Sequence, residues 1–301
     1  MSVTQVFHTV TAIRAAVTRA TQESARRQPV VGIVPTMGAL HSGHGALLQA
    51  ARTSADIVIA SVFVNPLQFD DPQDYQHYPR QFEKDLELLT RHGVDFVFAP
   101  DLEQMYPGHP EAPLVRVSTG ELGQRWEGAS RPGHFDGVAT VVTKLFTILH
   151  PPAPAVCEAW FGQKDAEQLA IMRRLVTDLN LPVRIRALPI VRDENGLALS
   201  SRNMRLNDQD YDAALSIPRA LVALVERAES GQELDLEELR GHLRAADGLD
   251  LDYLVVVDPT TLQEIEDGAL DKPALALIAA RVGPVRLIDT MDLRPGLSPS
   301  K

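Results

Sequence analysis

Among 301 residues there is one cysteine, Cys157, which excludes an intramolecular disulfide and a cysteine-based zinc site. Its apolar neighbours suggest a small core residue rather than a reactive thiol. Positive charge is also short: 29 Lys and Arg face 40 Asp and Glu, a net charge of -11. A nucleic-acid or anionic-membrane surface needs excess Lys and Arg along one face, so neither partner is expected. Any anion must instead meet a few cations gathered locally. Long hydrophobic runs are missing too. No segment approaches the roughly 20 apolar residues that span a bilayer, and "MSVTQVFHTVTAIRAAV" lacks a basic flank ahead of an apolar block. A cytoplasmic chain is expected. There is no internal repeat and no low-complexity stretch, and a hydrophobic content of 45% can core one large or two moderate domains.

What the chain does have is alternation. "PVVGIVPT" (29–36), "DIVIASVFV" (56–64), "VDFVFAP" (94–100), "AVCEAWFG" (155–162) and "VRIRALPI" (183–190) are short runs rich in Val and Ile that read as strands. Helical spacing lies between them, at Phe82, Leu86 and Leu89, at Val138, Val142, Leu145 and Leu149, and at Leu169, Met172, Leu175 and Leu179. A helix with Val10, Ile13 and Val17 on one side precedes the first of these strands, and Gly93 sits where a helix should stop. The pattern predicts an α/β fold over residues 1–190, a doubly wound parallel sheet with right-handed crossovers and ligands at the carboxyl ends of the strands.

From 191 to 301 the pattern changes to a smaller α+β domain. "DQDYDAALSIPRALVALVERAES" is helical but contains Pro218, "DLEELRGHLRAA" is a second helix, and "DYLVVVD", "ALALIAARV" and "PVRLIDTM" are apolar runs. The short link Gly283-Pro284 predicts antiparallel pairing of the last two.

"VPTMGALHSGHGALLQAAR" (34–52) puts His41 and His44 where an apolar strand gives way to a helix, with Ser42 as the expected N-cap and Leu47, Leu48 and Ala51 facing inward. Unpaired amides and the positive end of the dipole make such a helix start an anion site. Gly43 and Gly45 leave no side chain between a phosphate and the backbone. The pattern also admits a plainer reading, with His41 as a cap and His44 on the surface of the first turn. Zinc fits poorly, since no third ligand stands at a recognisable spacing.

Three further stretches supply the missing local groups. In "FGQKDAEQ", Gly162, Lys164 and Asp165 follow a strand and open a helix; lysine suits phosphate and Asp165 a ribose hydroxyl, or the two form an ordinary surface pair. "LSSRN" (199–203) offers two hydroxyls and an arginine fork suited to pyrophosphate, or a turn and cap. In "NPLQF", the neutral amides of Asn65 and Gln68 suit hydroxyls and a carboxylate.

At this point the chain resembles the pantothenate synthetase (pantoate–β-alanine ligase) family, within the nucleotidyltransferases that carry H-x-G-H. "VPTMGALHSGH", "SVFVNPLQF", "YPRQFEKD", "RPGHFDGVATVVTKLF", "FGQKD", "ALSSRN" and "RLIDT" fall in that family's order across nearly the whole chain. The resemblance implies ATP-dependent joining of (R)-pantoate and β-alanine through a pantoyl adenylate, releasing AMP and pyrophosphate, in the pathway to coenzyme A. It implies that Met37, Gly38, Ala39, Leu40, His41, Ser42, Gly43 and His44 form the first nucleotide segment. His44 would stabilise or protonate the reacting phosphate. Gly162, Gln163, Lys164 and Asp165 would hold phosphates and ribose, Val191 the adenine, and Leu199, Ser200, Ser201 and Arg202 the departing pyrophosphate. Among these, His44, Lys164 and Arg202 would carry catalysis. Gln68 and Gln168, with Asn65, would bind substrate, Mg²⁺ would bridge the phosphates, and the chain would form a homodimer.

The chain departs from the family pattern at several positions. Gln163 stands for a common Glu, Ala166 and Glu167 for an aromatic-Gln pair, Gly45 for a larger apolar residue and Gln81 for Thr. Lys84 stands where an acidic residue can occur, leaving Asp85 as the nearest candidate metal contact or, alternatively, part of a solvated helix face. Tyr78 and "DDPQDYQHYPR" read as a gate or as an inert surface loop. Rival readings are an adenylyl- or cytidylyltransferase with another acceptor, and a nucleotide-sensing protein without turnover.

Overall fold

The computed structural model of the chain describes residues 3–108 and 113–295, with Ser201 described in its backbone only. Two compact units divide it. One takes the chain up to Gly162 together with Ile171–Leu188, and the other takes Gln163–Ala170 together with the chain from Pro189 onward.

The first unit is built on a six-stranded, wholly parallel sheet. Its strands are β1 (Gln5–Phe7), β2 (Val30–Thr36), β3 (Ile57–Val62), β4 (Phe96–Phe98), β5 (Val156–Gly162) and β6 (Val183–Leu188), in the order β1-β4-β3-β2-β5-β6. Its helices are α1 (Val10–Glu23), α2 (Ser42–Ser54), α3 (Pro72–His77), α4 (Phe82–Arg91), α5 (Leu102–Met105), α6 (Trp126–Ser130) and α7 (His134–Leu149). Then α8 (Ala166–Asp178) leads into β6. The apolar runs read as strands form β2 to β6; the inner ones are buried along nearly their whole length, because a parallel strand covered on both faces needs no polar alternation, whereas β6 ends the sheet and alternates Val and Ile with Arg. Val34, Val58, Ala60 and Val97 meet Leu48, Ala51 and Leu89 of α2 and α4. The alternate residues Val31, Ile33 and Ile59 are buried as well, and the pleat sends them to the opposite face. Strand β1 carries no sequence signal: three residues are too few to show a period. It adds to the sheet edge beside β4, in register from Gln5 against Phe96.

The chain runs outward from β2 through β3 to β4, and in the other direction from β5 to β6. The switch point, where ligands enter sheets of this kind, therefore lies at the carboxyl ends of β2 and β5.

In the second unit β7 (Leu249–Val257), β8 (Ala274–Val282) and β9 (Val285–Leu293) form an antiparallel sheet in the order β7-β8-β9. The expected hairpin at Gly283-Pro284 closes β8 on β9, with Val282 opposite Val285. The long helical stretch is two helices, α9 (Asp208–Ala214) and α10 (Ser216–Ser230), which meet at Leu215. Pro218 is not the break. It sits in the first turn of α10, where its missing N–H would have had no helical partner anyway. With α11 (Leu236–Arg244), these helices bury Leu221, Leu224, Leu239 and Leu243 against Leu254, Ala276 and Ile278 of the sheet.

One close approach shapes the first unit near its strand ends. Gly137 of α7 lies so near the short 3₁₀ turn Pro66–Gln68 that a Cβ there would meet Leu67 O at 2.2 Å. A helical Gly→Ala change ordinarily gains up to about 1 kcal/mol, whereas forcing backbone apart costs about 1–3 kcal/mol. Gly137→Ala should therefore lower the thermal midpoint, and a raised midpoint in calorimetry would show that the turn yields freely.

Candidate active site

The segment from Met37 to His44 begins where β2 ends. Thr36 Oγ1 donates to Ser61 O on β3 (2.6 Å) and accepts from Gly38 N (3.2 Å), so the strand end and the next turn are tied together. The backbone then turns left-handed at two successive residues, Gly38 (φ 84°) and Ala39 (φ 51°). The second is costly for a residue with a Cβ, and one side chain secures it. Asp85 of α4, only 1% exposed, accepts from Ala39 N at 2.9 Å and from Leu40 N at 2.8 Å, one amide per oxygen. A Cβ on Gly38 would lie 2.9 Å from Asp85 Oδ2, so glycine is what lets the carboxylate in. This corrects one sequence reading of Asp85: it does not lie on a solvated helix face, and each of its oxygens accepts a backbone amide. Leu40 anchors the turn from beneath by packing in the cluster with Val34 and Leu48.

The turn delivers the histidine pair to the amino end of α2. The N-cap is His41 and not Ser42: His41 Nδ1 accepts from Gly43 N (3.1 Å), and His44 Nδ1 reaches back to accept from His41 N (3.3 Å). This is a capping box made from two imidazoles. Their ring centroids stand 4.2 Å apart at 57°. A Cβ on Gly43 would meet His41 Cε1 at 2.9 Å, so this glycine makes room for the capping ring. Both Nδ1 atoms act as acceptors, so in their neutral forms both rings carry the proton on Nε2. His44 is strongly neutral, its pKa lowered to about 4, chiefly by burial and then by the neighbouring His41. Gly45, in place of a larger residue, leaves room that the His92 ring borders: a Cβ there would stand 2.8 Å from His92 Nε2.

Asn65 and Gln68 come together in the first unit, at and beyond the end of β3. Asn65 caps the 3₁₀ turn that carries Gln68, and at 1% exposure it has no surface for a ligand. Its Oδ1 accepts from Leu67 N (3.3 Å) and Tyr106 Oη (2.8 Å), while its Nδ2 donates to Gln68 Oε1 (3.1 Å) and Gly137 O (3.1 Å). The expectation that this amide meets substrate is corrected, since its two acceptor sites and two hydrogens are spent inside the protein. Gln68 O accepts from His134 Nδ1 (2.7 Å) and Arg131 Nη2 (3.4 Å). Burial, and next Arg131, lower the pKa of His134 and favour the neutral ring, whose Nε2 can then accept from Arg131 Nη1 (3.3 Å). The "RPGH" motif thus clamps Gln68, a role invisible in its spacing.

In the second unit Lys164, Ser200 and Arg202 line one cavity together with Arg286 and Asp289. Asp289, its side chain 2% exposed, does not cancel these cations, because Arg192 takes it in a fork at 2.6 and 2.9 Å. Arg192 also donates to Gly196 O and Thr290 O, and it bridges to Ala198 in an isolated antiparallel pair. Leu199 N donates to Val191 O (2.9 Å), and Ser200 Oγ caps the 3₁₀ turn Ser201–Arg205 through Arg202 N (3.2 Å). A buried pair on "VRD" and "LID" therefore sets the shape of the "LSSRN" loop. Sequence reading missed Arg192, Asp289 and Arg286, because the two members of the fork stand 97 residues apart with nothing linking them in the chain. The Ser201 side chain lies outside the described residues.

The other expected residues are simply placed. Gly162 ends β5 and Gln163, Lys164 and Asp165 follow it into α8, which carries Gln168 in its first turn. Val191 is exposed. The segment around Tyr78 packs on itself: Phe69 meets the rings of Tyr75 and Tyr78, and Arg80 donates to the carbonyls of Tyr75, Gln76 and Tyr78. Cys157 is buried, its thiol pushed up to about 12 by burial and then by Glu158, as suits a core residue. Among the described residues no three His, Cys, Asp or Glu gather as a metal group. None of the described helices is long and apolar enough to cross a membrane.

Residues 5–292 match the family model Pantoate-beta-alanine ligase. A pantothenate synthetase of Corynebacterium efficiens is 56% identical over 273 residues, covering 89% of this chain and 93% of the relative. The crystal structure of pantothenate synthetase from Thermus thermophilus superposes with a TM-score of 0.82 at 44% identity, over 97% of this chain and 100% of that one. That of the Francisella tularensis pantoate-beta-alanine ligase, complexed with beta-gamma ATP and beta-alanine, has a TM-score of 0.72 at 33% identity, over 96% and 97% of the two chains. With this fold, this histidine-capped helix and these matches over almost its full length, the chain belongs to the pantoate–β-alanine ligase family.

Proposed function

We propose that the chain joins (R)-pantoate to β-alanine at the expense of ATP, through a pantoyl adenylate. The observation that carries the reading is the amino end of α2, where two Nε2–H imidazoles share a helix start with its amides, in a member of this family. Pantoate's carboxylate is already a nucleophile, so no activated serine or cysteine is needed. Its oxygen bonds to the α-phosphorus as the bond to the bridging oxygen breaks and pyrophosphate leaves. The β-alanine nitrogen then bonds to the acyl carbon, the bond from that carbon to the AMP oxygen breaks, and the nitrogen gives up a proton.

In this reading Met37 to His44 bind the nucleotide. His44 is neutral near pH 7 and acts as a hydrogen-bond donor to the phosphate; it does not begin as an imidazolium acid. Lys164 and Arg202 neutralise the phosphates, Ser200 and Ser201 donate to them, Asp165 takes the ribose and Val191 borders the adenine. Gln68 and Gln168 bind pantoate. Mg²⁺ when bound would neutralise triphosphate charge, and with no three-residue group to cage it among the described residues, phosphate oxygens and water would supply most of its ligands. We also propose that the chain is cytoplasmic and forms a homodimer. Leu114 and Val115, 102% and 86% exposed, supply adjacent apolar side chains for such a contact, and light scattering at twice the chain mass would support it.

The direct test is isotope exchange between ATP and pyrophosphate, expected with pantoate present and β-alanine omitted. Exchange absent with pantoate but driven by a different acid would overturn the assignment. Asp85→Asn should lower turnover by at least about tenfold, since a misplaced nucleotide loop is costly, and extra Mg²⁺ should not restore it; restoration by Mg²⁺ would make Asp85 a metal contact after all. The neutral His44 makes a third prediction. Its folded pKa of about 4 lies below the ordinary 6.5, so the unfolded chain binds the proton first as pH falls, and stability drops between 6.5 and about 4. Melting curves across that range should show a shallower loss for His44→Gln than for the parent chain, and parallel curves would contradict the assignment.

A further inference from the structure

The amide of Gln68 can face either way, and which way decides what it recognises. Backbone groups remove the ambiguity three residues upstream, at Asn65. Leu67 N must face an acceptor and Gly137 O a donor, so Asn65 presents its oxygen to Leu67 and its nitrogen to Gly137. The second hydrogen on Asn65 Nδ2 then requires an oxygen, and Gln68 supplies Oε1 at 3.1 Å. On the far side, Tyr106 Oη donates to Asn65 Oδ1 at 2.8 Å. The phenol stays protonated because burial raises its pKa. Its ring is fixed by Phe63, with centroids 6.0 Å apart, and by the Lys144 ammonium 5.7 Å over its face.

We propose that Tyr106 and Asn65 are positioning residues that turn Gln68 so that its –NH₂ group, and not its oxygen, is offered to the substrate. The recognised atom is then an oxygen acceptor, the carboxylate or a hydroxyl oxygen of the hydroxy acid, and Asn65 acts only through Gln68. Gln68 Nε2 has no protein partner among the described residues, whereas its side-chain oxygen and its carbonyl oxygen are both engaged. The inference rests on the functional reading above for the identity of the acid, but the order of the hydrogen bonds does not depend on it.

The test compares Tyr106→Phe and Gln68→Glu with the parent chain, with pantoate binding measured by calorimetry without ATP. Phenylalanine keeps the ring and removes one neutral hydrogen bond, so a roughly three- to tenfold weaker pantoate Kd is expected. KM values for ATP and β-alanine should stay within about twofold, a split that general loosening of the fold would not give. Gln68→Glu keeps an oxygen toward Asn65 and replaces the –NH₂ by a second oxygen, so pantoate binding should be lost. Retained binding in Gln68→Glu, or an unchanged Kd in Tyr106→Phe, would overturn the proposal. If the parent chain binds no pantoate, the functional reading fails by itself. The relay is then judged by the Gln68 side-chain amide signals in Tyr106→Phe, where a shift supports it and identical signals refute it.

Discussion

A carboxylate taken out of water must be repaid in hydrogen bonds, and Asp85 is repaid by the amides of Ala39 and Leu40. Much of the first unit's chemistry depends on that exchange. The backbone at Gly38 and Ala39 is left-handed, a state that a chain with a Cβ avoids unless its surroundings insist. Asp85 supplies the insistence from α4, 45 residues beyond Leu40 in the sequence. His41 is then set to cap α2 and His44 to reach back to His41 N. Without the clamp the amides of the turn would need other partners, and the two imidazoles would have no fixed common origin.

The second unit solves a similar problem by different means. The "LSSRN" loop has no helix of ordinary length to steady it, and its shape comes from the Arg192–Asp289 fork. Breaking such a pair by removing one partner leaves a charge stranded in the interior, a penalty of roughly 3–5 kcal/mol. Local order in both units therefore depends on a buried aspartate. One is satisfied by backbone amides and the other by a guanidinium.

The parallel sheet and the closing hairpin were legible in the sequence because burial on both faces leaves uninterrupted Val and Ile runs, and because Gly283-Pro284 is a turn by its chemistry. The position of the histidine pair was legible because a strand-to-helix junction announces itself in hydrophobic spacing. The N-cap was misread, since Ser42 has the better general propensity and only the fold shows that the His41 ring can bend back over Gly43. Tyr106 gave no signal, standing alone before Pro107 in a loop without period. Asp85 had the right residue type but the wrong inferred surroundings: helical spacing marks Phe82, Leu86 and Leu89 as the buried face and says nothing of a turn descending onto the next position. Contacts made across long separations by single side chains are what one chain cannot reveal.

The capping of α2 separates two demands on one residue. Starting the helix requires only an acceptor at position 41, a requirement that asparagine or aspartate meets with fewer atoms and a better intrinsic preference. An imidazole adds a second nitrogen on the opposite side of a planar ring, and nothing in helix formation uses it. The ring also stands beside that of His44, with centroids 4.2 Å apart, so one planar group both starts the helix and steadies the residue that follows it, which a short carboxylate or amide would not do.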